Sequence, residues 1–404
     1  MYESKKAAAA LRISDRKGNA LAGVKLHVEQ TSHDFLFGCG AFDALPAAND
    51  RQGDASCLER VQEWTELFNY GTLPFYWGGY EPLEGKTEYQ SRMNAARLLR
   101  EREITVKGHP LCWHTACADW LMDYDNSTIL DKQLERIRRE VTAFKGVIDY
   151  WDVINEVVIM PEYDRYDNAI TRICKEYGRT GLVKMVFEAA REANPDAVLL
   201  INDFNLSDKY AQLISDCLDA GVPIGAIGLQ THQHQGYMGR EKLEEILERF
   251  GKFGLPLHFT ENTLVSGHLM PPEIVDLNDY QPESWPTTQE GEERQKKELE
   301  DMVRYVFDHP LVEAFTIWDF ADGAWLGAPS GVIWKDNSKK PSYEMLESLI
   351  HREWHTDVEL VTDRNGCTEL TGYAGNYAVV SDQGRAVFHL GKGKTGEIKN
   401  IHLK

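Results

Sequence analysis

Short unbroken apolar runs alternate with stretches of helical length eight times along the chain. The runs Phe35–Ala41, Thr72–Trp77, Thr105–Cys112, Ile148–Asn155, Val198–Asn202, Ile224–Gln230, Leu257–Thr260 and Ala314–Trp318 are continuous rather than alternating, as in parallel strands buried on both faces. Leu58–Phe68, Tyr89–Glu101, Asp131–Phe144, Gly181–Ala193, Ser207–Ala220, Arg240–Phe250, Gln289–Phe307 and Tyr343–Arg352 space apolar residues three and four apart, the mark of amphipathic helices. Eight strand–helix units predict an α/β chain folded as a (β/α)8 TIM barrel. A doubly wound open sheet would carry a glycine-rich phosphate loop after its first strand. Phe37-Gly38-Cys39-Gly40-Ala41-Phe42 has neither the third glycine nor a helix start there.

The ends switch pattern. Leu11–Asp15 and Val24–Gln30 alternate around the turn Lys17-Gly18-Asn19, and Val358–Thr362, Tyr377–Ser381, Ala386–Leu390 and Glu397–Leu403 are short strands between Gly and Asp/Asn turns. Neither end has strands enough for a stable sheet alone. The division expected is therefore an N-terminal β segment over 1–34, a barrel over 35–353 and a small C-terminal β region over 354–404. Both ends would pair into one small β-sandwich on the barrel, serving as a structural cap or as an accessory sugar-binding site.

Composition narrows the partners. With 44 basic against 64 acidic residues the formal charge is −20, which leaves a nucleic acid little to hold. No apolar run reaches the roughly 18 residues of a spanning helix, so no membrane partner is expected. Met1-Tyr2-Glu3-Ser4-Lys5-Lys6 and the alanines after it lack an apolar signal core, which predicts a cytoplasmic protein or one exported after signal removal. The seven cysteines are odd in number, scattered and without CxxC, so reduced, mostly buried thiols are expected. Ten tryptophans provide stacking faces of the kind flat sugar rings need.

Barrel chemistry collects at the C-terminal strand ends. Those ends read His109-Pro110-Leu111-Cys112-Trp113-His114, Trp151-Asp152-Val153-Ile154-Asn155-Glu156, Asn202-Asp203-Phe204-Asn205, Gln230-Thr231-His232, Phe259-Thr260-Glu261 and Trp318-Asp319-Phe320, with Trp325 just beyond. Glu156 and Glu261 thus face one mouth, ringed by amides, imidazoles and indoles. Two carboxyls, hydroxyl-binding polar groups and aromatic platforms suit glycoside hydrolysis. Asp152, inside its strand, is assigned a buried polar contact. His232-Gln233-His234 has the spacing of a metal-binding pair, but the first strand offers no further ligand. No metal and no cofactor is expected, and His234 is read as an exposed loop residue.

Taken in order and spacing, Gly108–His114, Trp151–Glu156, Asn202–Asn205, Ile227–His232, Thr260-Glu261 and Trp318…Trp325 resemble family 10 of the glycoside hydrolases, mainly endo-1,4-β-xylanases. The resemblance runs from about Phe35 to Arg352. It implies a retaining double displacement on β-1,4-xylosidic bonds of xylan or xylo-oligosaccharides, with Glu156 as acid/base and Glu261 as nucleophile. Asn155 would bind the 2-hydroxyl at −1, His232 with Gln230 would orient Glu261, His114 would contact the same sugar, and Trp318 and Trp325 would wall the subsite. Retention goes with carboxyls about 5–5.5 Å apart.

Departures from the family pattern cluster after the second strand. Where the family has Glu-Asn-x-x-Lys-Trp, this chain reads Thr72-Leu73-Pro74-Phe75-Tyr76-Trp77, keeping only Trp77. Ala116 and Ala118 replace a Gln and a Pro, and Thr263 replaces an Asp two residues after the nucleophile. Each lost hydrogen bond to a second glycone sugar forfeits about 0.5–1.5 kcal/mol. Tyr76 and Phe75 would instead meet something less polar or block the cleft. Two other readings follow: a narrower or exo-acting retaining β-glycosidase on decorated oligosaccharides or aryl or terpenoid glycosides, and a non-catalytic carbohydrate-binding protein.

Overall fold

The computed structural model describes residues 2–49, 55–392 and 397–404. Two N-terminal strands, β1 (Lys6–Ser14) and β2 (Lys25–His33), precede eight parallel strands that close on themselves. These are β3 (Leu36–Gly40), β4 (Tyr70–Pro74), β5 (Thr105–His109), β6 (Tyr150–Asn155), β7 (Val198–Asp203), β8 (Ala226–Leu229), β10 (Leu257–Leu264) and β11 (Val312–Ile317). β11 pairs with β3, Phe315 opposite Phe37, and shuts the barrel. A two-residue strand, β9 (His232–Gln233), adds to the far end of β10 at Thr263 and Leu264.

The barrel strands are buried along nearly their whole length, which is why they read as continuous apolar runs. The largest shortfalls from the apolar runs are at two strands. β4 stops at Pro74 and β5 at His109, before Pro110, because proline has no N–H for the ladder. Close packing of strand against side chain is sharpest at Gly108, where a Cβ would sit 2.1 Å from the Trp151 ring. Helices flank the strands with their apolar faces inward. Asn126–Ala143 begins at Asp125, whose carboxylate accepts the Thr128 N–H. Ala169–Tyr177 is an additional helix that periodicity misses, capped by Asn168 on Thr171 N–H.

Both chain ends enter one β-sandwich. β1 lies antiparallel to β13 (Cys367–Tyr373) and parallel to β16 (Glu397–His402), while β2 lies between β12 (Asp357–Val361) and β14 (Gly375–Ser381), with β15 (Gly384–Leu390) at the edge. Leu11, Ile13, Leu26, Val28, Leu370 and Val379 form the core between the sheets. β13 escaped the sequence reading, and β1 starts at Lys6, so the alanine run is strand. The sandwich meets the barrel through Tyr2, Phe307 and Trp354, and Lys5 Nζ donates to His309 O at 2.9 Å. That contact lies at the start of β11, the barrel end opposite the mouth. None of the seven cysteines, all among the described residues, is in a disulfide, and five of them are buried.

Candidate active site

Glu156 and Glu261 are carried by β6 and β10, three strands apart around the barrel. Glu156 follows the last residue of β6 in a left-handed backbone conformation, φ 56°, which costs a non-glycine residue on the order of 1–2 kcal/mol. Its N–H donates to Asn202 O at 2.8 Å, which holds the turn against β7. The carboxylate accepts from the Trp113 indole at 2.8 Å and from Gln230 Nε2 at 3.4 Å. Burial, then the charge of Glu261, pushes the Glu156 carboxyl up to about 8.

Glu261 has the opposite surroundings. Its Oε1 accepts from Asn202 Nδ2 at 2.7 Å, its Oε2 faces His232 Nε2 at 3.1 Å, and His109 Nδ1 lies 4.0 Å from Oε1. Burial raises the Glu261 carboxyl, but the charge of His109 and the hydrogen bond and charge of His232 outweigh it. The group therefore sits below the ordinary carboxylate value. His109 in turn bonds Asp152 Oδ2 at 2.7 Å, and Lys107 Nζ meets the same oxygen at 2.8 Å, both inside the barrel. Asp152 is thus a fully buried ion-pair partner.

One chain of side-chain hydrogen bonds joins the two acids. Gln230 Nε2 donates to Glu156 and, at 3.0 Å, to Asn155 Oδ1; Asn202 Nδ2 donates to that same Oδ1 at 2.8 Å and to Glu261. With Oδ1 doubly occupied, any ligand that the Asn155 amide meets would have to accept from its NH2 end. Thr260 Oγ1 donates to Asn202 Oδ1 at 2.7 Å, and Gly228 leaves room for it: a Cβ there would stand 2.3 Å from that oxygen. Asn202 and Gly228 were not singled out in the sequence. Both fall within segments that carry the family resemblance, Asn202–Asn205 and Ile227–His232, without a role assigned to them there.

The aromatic set is partly the expected one. The Trp318 ring stands 5.2 Å from that of His109 and 6.2 Å from that of His232, and the Trp325 ring 4.4 Å from His232. The Tyr76 ring lies 5.8 Å from His109 and 5.6 Å from Trp113. Trp77 is placed elsewhere. It donates to Glu81 Oε2 at 3.1 Å and packs under the Arg136 guanidinium at 4.8 Å. Tyr76 precedes the helical turn Trp77–Tyr80 in a non-helical conformation, φ −53° and ψ 120°, and its ring is the one that lies beside His109 and Trp113. Phe75 is fully buried against Trp151 and Phe144.

His114 also lies away from the acids. It is buried with its ring 4.4 Å from Tyr163, and its neighbour Trp113 is the residue that reaches Glu156. Adjacent side chains on extended backbone face opposite ways, so one residue of register decides between them. His109 and Trp113 are therefore the histidine and indole of this strand end at the two glutamates. His234, expected as an exposed loop residue, is fully buried. β9 docks on β10, and the 265–288 connection covers it, with Met270 N–H donating to His234 O at 2.9 Å. His232 is engaged by Glu261 through Nε2 and pairs with Thr263 Oγ1 through Nδ1 at 3.4 Å.

A carboxyl pushed above its ordinary value, coupled to one held below it, is what an acid and a nucleophile acting on an acetal would require. Known proteins point the same way. A profile described as Glycosyl hydrolase family 10 matches residues 75–349. The chain is 28% identical over 292 residues to an endo-1,4-beta-xylanase/feruloyl esterase of Xylanibacter ruminicola, covering 64% of this chain and 39% of that protein. It is 23% identical over 381 residues to endo-1,4-beta-xylanase 1 of Arabidopsis thaliana, covering 91% and 36% respectively. The chain therefore spans well under half the length of both relatives. Among solved structures, a family 10 protein from Paenibacillus barcinonensis superposes with a TM-score of 0.64 at 22% identity, over 79% of this chain and 96% of that one. With more than half its length matched by the family profile, the chain belongs to glycosyl hydrolase family 10.

Proposed function

We propose that this chain is a retaining β-glycoside hydrolase that cleaves β-1,4-xylosidic linkages in xylan or xylo-oligosaccharides. The observation that carries the reading is the hydrogen-bond chain through Gln230, Asn155 and Asn202 that joins the two glutamates at the strand ends, with Glu156 pushed up to about 8 and Glu261 held below its ordinary value. The named activities of the family relatives support the substrate.

In the first step Glu261 attacks the anomeric carbon while Glu156 gives its proton to the departing glycosidic oxygen. Glu156, now ionised, then takes a proton from the water that displaces Glu261 and releases the sugar with its starting configuration. Asn155 meets the hydroxyl next to the anomeric carbon through its NH2 end. Trp113 and Gln230 donate to the ionised Glu156 of the second step. His232 and Asn202 hold Glu261 for the first. Trp318, Trp325 and Tyr76 provide the flat faces.

Product sizing on linear xylan, with NMR of the first-formed anomer, tests the reading. A β-configured product from xylan or xylo-oligosaccharides is expected. An α-configured product, or no release from any β-xyloside, overturns it. Glu156→Ala and Glu261→Ala should each lower turnover of an aryl β-xyloside by about a hundredfold or more.

A further inference from the structure

Arg165 joins two loops that the barrel keeps apart. The connection after Glu156, residues 157–168, and the connection after β10, residues 265–288, rise from strands separated by β7 and β8. Arg165 Nη2 meets Asp279 Oδ1 at 2.7 Å, and Nη1 pairs with Asp276. One guanidinium fork thus closes on two carboxylates of the far loop.

Each loop is braced independently of that contact. In the first, Tyr163 lies against His114, and Arg179 donates to Val158 O at 2.9 Å and to Glu162 Oε1 at 2.5 Å. In the second, Met270 and Trp285 belong to a small buried core of their own. Gln235, after β9, donates to Pro271 O at 2.9 Å and to Ile274 O at 2.8 Å, joining the β8 side of the rim to this loop. What Arg165 bridges is therefore the sector of the rim beside the short connection after β7, where Phe204 is 48% exposed.

We infer that Arg165 with Asp276 and Asp279 is a latch that closes the leaving-group side of the cleft and limits how long a departing chain the site admits. The inference rests on the glycosidase reading above. A departing group lies beside its proton donor, Glu156, and the loop bearing Arg165 is the segment directly after that residue. A continuous polysaccharide leaving past Glu156 meets the closed sector. A short oligosaccharide or an aryl aglycone ends before it. The latch side chains are 37–58% exposed, so screening by salt loosens them.

Wild type is compared with Arg165→Ala by two readouts. The first is hydrogen exchange of residues 157–168 and 265–288, expected to quicken in both loops of the variant. Unchanged exchange overturns the latch. The second is kcat/KM on linear xylan relative to an aryl β-xyloside, expected to rise about fivefold or more in the variant while aryl turnover stays within roughly twofold. High salt should raise the same ratio in wild type and not in Arg165→Ala. An unchanged ratio despite quickened exchange overturns the length selection. A wild type that hydrolyses neither substrate refutes the enzymatic reading and the length selection with it, and the exchange result then decides the latch by itself.

Discussion

The amide nitrogen of Asn202 stands 2.7 Å from Oε1 of Glu261, and the same nitrogen also serves Asn155 at 2.8 Å. A donor aimed at one carboxylate oxygen favours its ionised form and fixes its orientation, as the proposed attack by Glu261 requires. Asn202→Ala should lower kcat/KM about 10- to 100-fold, the cost of one hydrogen bond to a charged group, about 1.5–3 kcal/mol. The acidic limb of the pH profile should move up with it. A pH profile of kcat/KM for wild type and variant checks both.

Gly228 guards that arrangement from the next strand. A methyl group there would fall 2.3 Å from Asn202 Oδ1, so Gly228→Ala must displace Asn202 or bend β8. Activity and stability should fall together, with a loss of about 1–3 kcal/mol by denaturant titration. Full activity in the variant would show that Asn202 has freedom to move.

Trp113 favours the ionised form of Glu156 through its indole N–H, so removing that donor should raise the Glu156 carboxyl further. The basic limb of kcat/KM for wild type is expected near pH 8, and Trp113→Phe should shift it to higher pH. An unmoved or lowered limb would show that the indole does not act on this carboxyl.

Glu156 should itself burden the fold. Its carboxyl rises from 4.5 to about 8 in the folded state, so the folded protein binds more protons than the unfolded chain between those values. Stability therefore falls as pH rises across that window. Glu156→Gln, which never ionises, should raise Tm relative to wild type, by little at pH near 5 and by more at pH near 8. Thermal melts at both values test the sign.

Lys107 and Asp152 are a fully buried ion pair at 2.8 Å beneath the site. Lys107→Met removes the ammonium from a buried carboxylate that then leans on His109, and should cost about 3–5 kcal/mol in chemical denaturation, whereas Lys107→Met with Asp152→Leu should recover much of it. The double variant loses the support of His109, so its activity should stay low even where its stability returns.

The apolar runs were enough to read the barrel, because a strand covered on both faces must be apolar throughout, and β7 and β11 show this along most of their length. Glu156 and Glu261 were legible for a related reason: a carboxylate directly after, or within, such a run must sit at a strand end or be held by partners. Local pattern did not tell Trp113 from His114 or Tyr76 from Trp77. Those pairs sit where regular structure stops, and a single residue of turn sends neighbouring side chains to opposite sides. His234 read as exposed because the cover over it comes from residues 265–288, remote in sequence.

What the sequence determined by itself was the periodic burial that makes eight strand–helix units, and the kinds of chemical group carried to their ends. Tertiary structure alone decided which of those groups meet. The hydrogen-bond chain from Gln230 through Asn155 and Asn202 to Glu261, and the fork from Arg165 to Asp276 and Asp279, join residues tens to more than a hundred positions apart. Hydrogen bonds and ion pairs act over a few ångströms, so they are set by where the closed barrel brings side chains together, which no local run of residues records.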